Sequence, residues 1–304
     1  MTRNAPAPHF IQTHLSNPAA VRAELEAGLL ATPAHVSPKY FYDALGSRLF
    51  DAITELPEYY PTRTEAAIFG RHGAEMAAHL PAGALLVDLG AGSCAKAASL
   101  FPELQPAGYV AVDISVDYLR DALGQLQQRH PALPMLGLGM DFSTTLQFGD
   151  AVGRWLSDHR LHSAPRTVFY PGSSIGNFIP AQAVEVLEPA YDDALGVTAA
   201  FNRNLLLNVN RWMGSNFQPV LWRHVAHFNA AESRIEMHLE ALQDQTVVWE
   251  GGQRRFVAGE RMHTENSCKW TPASFETLLE QAGWRDVRRW TDKHGWFGVF
   301  AARA

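Results

Sequence analysis

Leu85-Leu86-Val87-Asp88-Leu89-Gly90-Ala91-Gly92-Ser93-Cys94 constrains the fold more than any other stretch of this chain. Its first five residues are apolar except for Asp88, which suits a short parallel strand covered on both faces. Gly90 and Gly92 then allow a sharp turn and a close approach to a ligand, because they carry no Cβ. Further on, Tyr109-Val110-Ala111-Val112-Asp113 reads as a second strand ending on a carboxylate. A glycine turn after one strand and an acid at the end of the next is the layout that holds an adenosine ribose. Only G-x-G is present. The third glycine of a dinucleotide fingerprint is absent and Lys96-Ala97-Ala98 follow, which points away from a pyrophosphate and toward S-adenosylmethionine. Taken alone, the same residues also describe a plain strand, turn and helix.

The remaining composition narrows the class. With 304 residues the chain can bury a large core. A net charge of -6, with no long Lys/Arg run, argues against a nucleic-acid footprint. No apolar run approaches a membrane span, and Met1 to Pro8 has no hydrophobic signal-peptide core. Two cysteines, Cys94 and Cys268, make neither a disulfide framework nor a metal site. The thirteen histidines show no H-x-x-x-H spacing, so no metal is expected. A cytoplasmic, monomeric enzyme acting on a small molecule, without nucleic-acid or membrane partners, is the expectation.

The chain order is that of an α/β protein. Asn17-Pro18 opens a helix. Leu56-Pro57-Glu58-Tyr59-Tyr60-Pro61-Thr62-Arg63 reads as a rigid loop, either presenting its tyrosines or simply packing them. Thr64 to His79 reads as an amphipathic helix. Ser115 to His130 reads as another, with Leu119, Ala122, Leu123 and Leu126 on one face. Pro134 to Met140 leads to Asp141-Phe142, an acid and an aromatic that suit an adenine site or, equally, a helix cap and a core ring. Arg166 to Tyr170 is the next strand, running into the glycine-rich loop Pro171 to Phe178. Ligands in an open parallel sheet lie beyond the carboxyl ends of the strands, which places Asn177 where a second substrate would meet the cofactor. Gln182 to Leu187 reads as helix. No strand is legible between Asn177 and Tyr191, although a parallel sheet of this type should continue there.

Residues 217–262 read as a β-rich lobe of alternating strands, with Thr246 to Trp249 joining the strands before it after a turn. In Thr264-Glu265-Asn266-Ser267-Cys268-Lys269 the alternation puts Glu265 and Ser267 on one face of an extended segment. That pair could grip a small polar ring or belong to a solvated strand face. Thr271 caps a closing helix, and Trp284 to Ala301 reads as a hairpin.

From Ser37 to the C-terminus the chain resembles the S-adenosylmethionine-dependent histidine Nα-methyltransferases of ergothioneine biosynthesis. The resemblance rests on Pro38-Lys39-Tyr40-Phe41-Tyr42-Asp43, on Leu56 to Arg63, on Gly172 to Phe178, on Tyr191-Asp192-Asp193 with Gly196 to Asn202, on Arg234 to Met237, and on Thr264 to Lys269. It implies a Rossmann-like class I methyltransferase with a mostly parallel sheet, plus a smaller substrate-binding lobe of α+β type. The expected parts are a helical segment over 1–62, a cofactor domain over 63–190, an inserted substrate lobe over 191–265, and a helix and hairpin over 266–304 completing the sheet. It further implies that Gly90, Lys96, Asp113, Asp141 and Phe142 bind S-adenosylmethionine. Tyr59, Asn177, Tyr191, Glu265 and Ser267 would bind histidine, and Tyr42 and Asn177 would lie at the reacting nitrogen. The implied product is the trimethylated betaine, hercynine. A different small amino acid or imidazole compound as substrate, or an inactive binding homologue, are the alternatives. Between Asn177 and Tyr191 the family carries a helix, a strand and a loop that this chain largely lacks.

Overall fold

The computed structural model describes residues 8–12, 17–142, 148–172, 176–177 and 188–304. Its centre is a parallel sheet of five strands: β1 (His9–Gln12), β2 (Leu85–Leu89), β3 (Gly108–Asp113), β4 (Met135–Gly139) and β5 (Arg166–Phe169), in the order β1-β4-β3-β2-β5. Alternation along β2, β3 and β4 divides their side chains between two layers. Leu85, Val87, Leu89, Val110, Val112, Leu136 and Leu138 pack under the helix Asp150–Asp158 through its Val152, Trp155 and Leu156. Leu86, Tyr109, Ala111 and Met135 pack against Leu119, Leu123 and Leu126 of the helix Val116–Arg129, the face read from the sequence. At about 1.5–3 kcal/mol for each fully buried large side chain, this double cover is what makes a parallel sheet tenable. The α/β expectation with a mostly parallel sheet is borne out.

The second layer of structure is a four-stranded sheet, β6 (Gly176–Asn177), β7 (Trp222–Asn229), β8 (Arg234–Ala241) and β11 (Arg261–Trp270), ordered β6-β11-β8-β7. The long helix Val197–Met213 lies on it, and the early helices Pro18–Leu30 and Ala44–Thr54 close the other side in one core. The motif around Asp43 has a structural reason. Asp43 caps Ala44–Thr54 by accepting from Gly46 N at 2.7 Å, and accepts from Asn204 of the long helix at 2.8 Å. A Cβ at Gly46 would stand 1.7 Å from the Phe41 carbonyl oxygen, so only glycine fits there.

Four expectations need correction. His9–Gln12 is a strand of the central sheet, so the first residues are not purely helical. The helix read as Thr64 to His79 starts at Tyr60, because Pro61 in its first turn lacks only an N–H that would be unpaired anyway. Thr246 to Trp249 lies within β9 (Gln245–Trp249), which pairs with β10 (Gly252–Phe256) rather than with the strands before it. The closing strands β12 (Arg285–Thr291) and β13 (Gly298–Arg303) form their own two-stranded sheet and do not complete the central one. They are held instead by side-chain packing of Phe297, Val299 and Trp290 against Ile68, Phe69 and Met76 of the helix Tyr60–His79.

The reason for the last correction lies beside β5. Among the described residues nothing pairs with its outer edge, and Val168 is 54% exposed. A cleft of about 380 Å³, lined by Val168, Tyr170, Phe275, Leu279, Val299 and Phe300, separates β5 from β13. The helix read over Gln182 to Leu187 lies outside the described residues. Among the described residues, no helix is long and apolar enough to cross a membrane.

An open outer edge makes β5 tolerant. Val168→Ala should cost no more than about 0.5 kcal/mol, whereas Leu136→Ala in fully covered β4 should cost about 2–5 kcal/mol. Denaturant unfolding of both variants measures this, and equal losses would show that the outer side of β5 is covered.

Candidate active site

The carboxyl ends of β2, β3 and β4 converge on one polar cradle. Gly90 (φ 72°) and Gly92 (φ 49°) adopt left-handed backbone in the turn after β2. Asp113, at the end of β3, accepts from Gly92 N at 2.9 Å and from Ser115 N at 2.8 Å. Burial pushes its carboxyl upward, while those N–H groups pull it back. Phe142 lies against the same turn, since a Cβ at Gly90 would stand 3.7 Å from its ring. Asp141 is buried, with Lys39 Nζ 3.8 Å away. Lys96 Nζ lies 2.6 Å from Glu65 Oε2, and Glu65 also accepts from Gly172 N at 2.9 Å. All five residues expected at a cofactor site thus gather at the turn and strand ends.

Sequence reading missed two partners here. Glu65 is a buried acid on the helix Tyr60–His79, and no local pattern marks it. Asp88 is 1% exposed inside β2. Its Oδ2 accepts from Tyr109 at 2.6 Å, its Oδ1 has no partner among the described residues, and burial raises its carboxyl to about 7. A charged residue in the middle of an apolar strand was the available signal.

The second half of the site is built on β11. Met262 pairs with Leu239 and Glu265 with Met237, so one extra residue, Thr264, is taken up in a bulge between them. Strict alternation from Met262 would turn Thr264, Asn266 and Cys268 inward. The bulge reverses that parity and puts Glu265, Ser267 and Lys269 on the core side with Met237 and Ile235. Burial raises the Glu265 carboxyl to about 7, against the pull of Lys269. Burial also brings the Lys269 ammonium down to about 8, against the pull of Glu265.

Around them stands an aromatic wall. Ring centroids are 6.4 Å apart for Tyr59 and Tyr191, 6.2 Å for Phe50 and Tyr59, and 5.8 Å for Tyr42 and Phe50. Burial, then Glu265 and Tyr59 nearby, hold the Tyr42 phenol well above its ordinary value. Arg63 donates to the carbonyls of Leu56 at 2.8 Å and Pro57 at 2.6 Å, which fixes the loop carrying Tyr59. Ser115 Oγ donates to the Tyr42 carbonyl at 2.6 Å, tying this wall to the end of β3. Asn177 arrives by backbone alone: it pairs in parallel with Trp270, the last residue of β11. Phe50 and Lys269 were not anticipated as site residues. Phe50 sits in a helix without a distinguishing pattern, while Lys269 was visible within the Thr264 to Lys269 motif.

Tyr191 reaches the cavity despite the interruption before it. Its hydroxyl is 2.7 Å from Ser267 Oγ. Its carbonyl is 2.8 Å from Nε2 of buried His224, whose Nδ1 is 2.7 Å from Asn202 Nδ2. The amide can only donate, so His224 accepts at Nδ1 and donates from Nε2 as the neutral ring.

On the opposite face of the same sheet, His227, Glu236 and His238 bring ligand atoms within 4.8 Å of one another. Sequence spacing gave no metal site, and pairing across β7 and β8 creates this group. Glu236 is already engaged by Arg234 Nε at 2.8 Å and Asn229 Nδ2 at 2.9 Å. A guanidinium in contact with the only carboxylate disfavours a dication there.

Comparison with known families matches the chain to the histidine-specific, S-adenosylmethionine-dependent methyltransferases over residues 21–188 and 182–304. The chain belongs to this family. It is 39% identical to the histidine N-alpha-methyltransferase of Mycolicibacterium smegmatis, over 93% of this chain and 94% of that one. It is 35% identical to that of Mycobacterium tuberculosis, over 96% and 98%. Identity to ergothioneine biosynthesis protein 1 of Neurospora crassa is 28%, over 85% of this chain and 32% of that longer protein. The M. smegmatis alignment runs over 316 positions, more than this whole chain can fill, and the family match breaks at residues 182–188. The cradle of this methyltransferase fits S-adenosylmethionine: it offers an unpaired buried carboxylate oxygen at Asp88, a second acid at Asp113, and the Asp141–Phe142 pair.

Two outcomes follow. Asp113→Ala frees the Gly92 and Ser115 N–H groups and removes the acid beside the turn. S-adenosylhomocysteine should then bind at least about tenfold more weakly by calorimetry, corresponding to about 1.4 kcal/mol. His224→Gln should cost about 1–3 kcal/mol at pH 7.5. Burial lowers the folded-state pKa of His224, so the unfolded chain binds its proton first. The wild-type margin over His224→Gln should therefore shrink as pH falls below about 6.5, as read by denaturant titrations across pH.

Proposed function

We propose that this methyltransferase transfers methyl groups from S-adenosylmethionine to the α-amino nitrogen of L-histidine, up to hercynine, as the first step of ergothioneine biosynthesis. The observation that carries this reading is Glu265 beside Ser267 on one strand face, enclosed by Tyr42, Tyr59 and Tyr191. The names of the mycobacterial relatives support it. Glu265, Ser267 and Tyr59 would hold the imidazole, and Asn177 and Tyr191 the amine and carboxylate. A carboxylate facing a ring N–H rejects side chains without that donor, because its own charge is then left unpaired.

S-adenosylmethionine, when bound, supplies a methyl group on a sulfonium sulfur. The chain's task is to hold a neutral amine in line with it, and most of the rate gain comes from that alignment. Tyr42 serves with its ring and hydroxyl rather than as a base, since its phenol keeps its proton. Solvent water or a nearby group takes the amine's proton. The rings of Tyr42 and Phe50 favour the fixed positive charge that grows with methylation, by about 0.5–2 kcal/mol.

Purified protein with both substrates should give mono-, di- and trimethylated histidine by mass spectrometry. No product from histidine would overturn the assignment, and a panel of other amino acids would then identify a different substrate or none. Glu265→Ala should raise the KM for histidine about tenfold or more, with cofactor affinity nearly unchanged. Equal losses for both ligands would contradict the role given to Glu265.

A further inference from the structure

Lys269 is 5% exposed, and none of the roles above uses it. Its Nζ lies 2.7 Å from Ser267 Oγ and 3.4 Å from the Tyr191 hydroxyl, and 5.1 Å from the centre of the Tyr191 ring. Glu265 stands on the same strand face. We propose that Lys269 is the positioning residue of the substrate site: it makes Ser267 a hydrogen-bond donor and keeps Glu265 an ionised acceptor, so that the site selects a neutral imidazole with one N–H and one bare nitrogen. This rests on the histidine reading above.

The donor inventory sets the directions. An ammonium has three donors and no acceptor, so Lys269 donates to both oxygens. The Tyr191–Ser267 bond has either polarity by geometry alone. In the proposed polarity, Lys269 donates to Ser267 Oγ and the Tyr191 hydroxyl donates to the same oxygen. The two acceptor sites of Ser267 Oγ are then filled, one by Lys269 and one by Tyr191. Its own hydrogen is what remains for a ligand. A bare ring nitrogen fits that hydrogen, and a ring N–H does not. Imidazolium, with N–H at both nitrogens, is excluded at Ser267 even though it carries the charge that would attract Glu265. The positive charge of Lys269 also answers that carboxylate when no ligand is bound. Tyr42 faces Glu265 and Tyr191 faces Lys269, with Cys268 next in the chain. Burial keeps the Tyr42 phenol protonated, and among the described residues Lys269 is the cation that acts on Glu265.

The test compares wild type with Lys269→Met, Lys269→Arg and Ser267→Ala. In Lys269→Met, the KM for histidine should rise about tenfold or more, with cofactor affinity unchanged. The acid limb of kcat/KM for histidine should move up by about one pH unit. Lys269→Arg should restore most of both. Ser267→Ala should raise the KM but leave the acid limb in place. The independent readout is infrared titration of the Glu265 carboxyl, identified by its loss in Glu265→Gln. Its midpoint should rise in Lys269→Met without any substrate present. An unmoved carboxyl midpoint overturns the proposal whatever the enzyme methylates. Absence of methylated histidine in wild type overturns the functional reading instead. A Lys269→Met enzyme that loses cofactor and histidine binding alike, with no change in the acid limb, would make Lys269 merely structural.

Discussion

One carboxylate and one hydroxyl hold the two halves of this enzyme in register. Asp113 gathers the Gly92 and Ser115 N–H groups at the end of β3, and Ser115 Oγ reaches across to the Tyr42 carbonyl. The first contact shapes the glycine turn. The second fixes the aromatic wall around Tyr42. A methyl transfer needs donor and acceptor aligned to a fraction of an ångström, and this short relay is one polar path between the two sides, beside Ser47–Ser115 and Lys39–Asp141. Both contacts are buried or partly buried, where a hydrogen bond to an ionised group is stronger than on the surface.

The same economy appears on β11. A single inserted residue, Thr264, turns Glu265, Ser267 and Lys269 from one face to the other, and its hydroxyl is secured on the Met237 carbonyl at 3.0 Å. The bulge therefore decides which of these polar groups face the core. The polar cluster it creates is tolerable inside a largely apolar core because each member has an opposite charge or a hydrogen-bond partner. Tyr191 is anchored at its carbonyl by the buried His224–Asn202 pair. A cleft lies beside β5. There the terminal hairpin is held by packing on a helix rather than by the sheet's own hydrogen bonds.

Much of this was legible in the residues. The apolar run Leu85 to Leu89, the glycine turn and the acid at Asp113 specified a parallel sheet and its ligand end, because burial on both faces and positive φ leave few alternatives. Helical periodicity marked Leu119, Leu123 and Leu126. The motifs carrying Tyr42, Tyr59, Tyr191, Glu265 and Ser267 marked a second group of residues, and the structure gathers them into one cluster. His9–Gln12 was not legible, since four residues carry too little pattern to reveal a strand whose partner is β4. Glu65 and Phe50 were also hidden, because their importance lies in what they meet across the chain and not in their neighbours in sequence.

The chain's local chemistry thus determined its class, its glycine turn and the identity of the polar and aromatic groups that cluster beyond the strand ends. Tertiary structure alone decided how they meet. Parity along β11 depends on a bulge that alternation cannot announce, the contact of Lys269 with both Ser267 and Tyr191 depends on where folding places them, and among the described residues the outer edge of β5 stays unpaired because of how the chain closes. Each is a property of long-range pairing, in which hydrogen-bond polarity and register are set by the partner strand or side chain rather than by the residue's own neighbours.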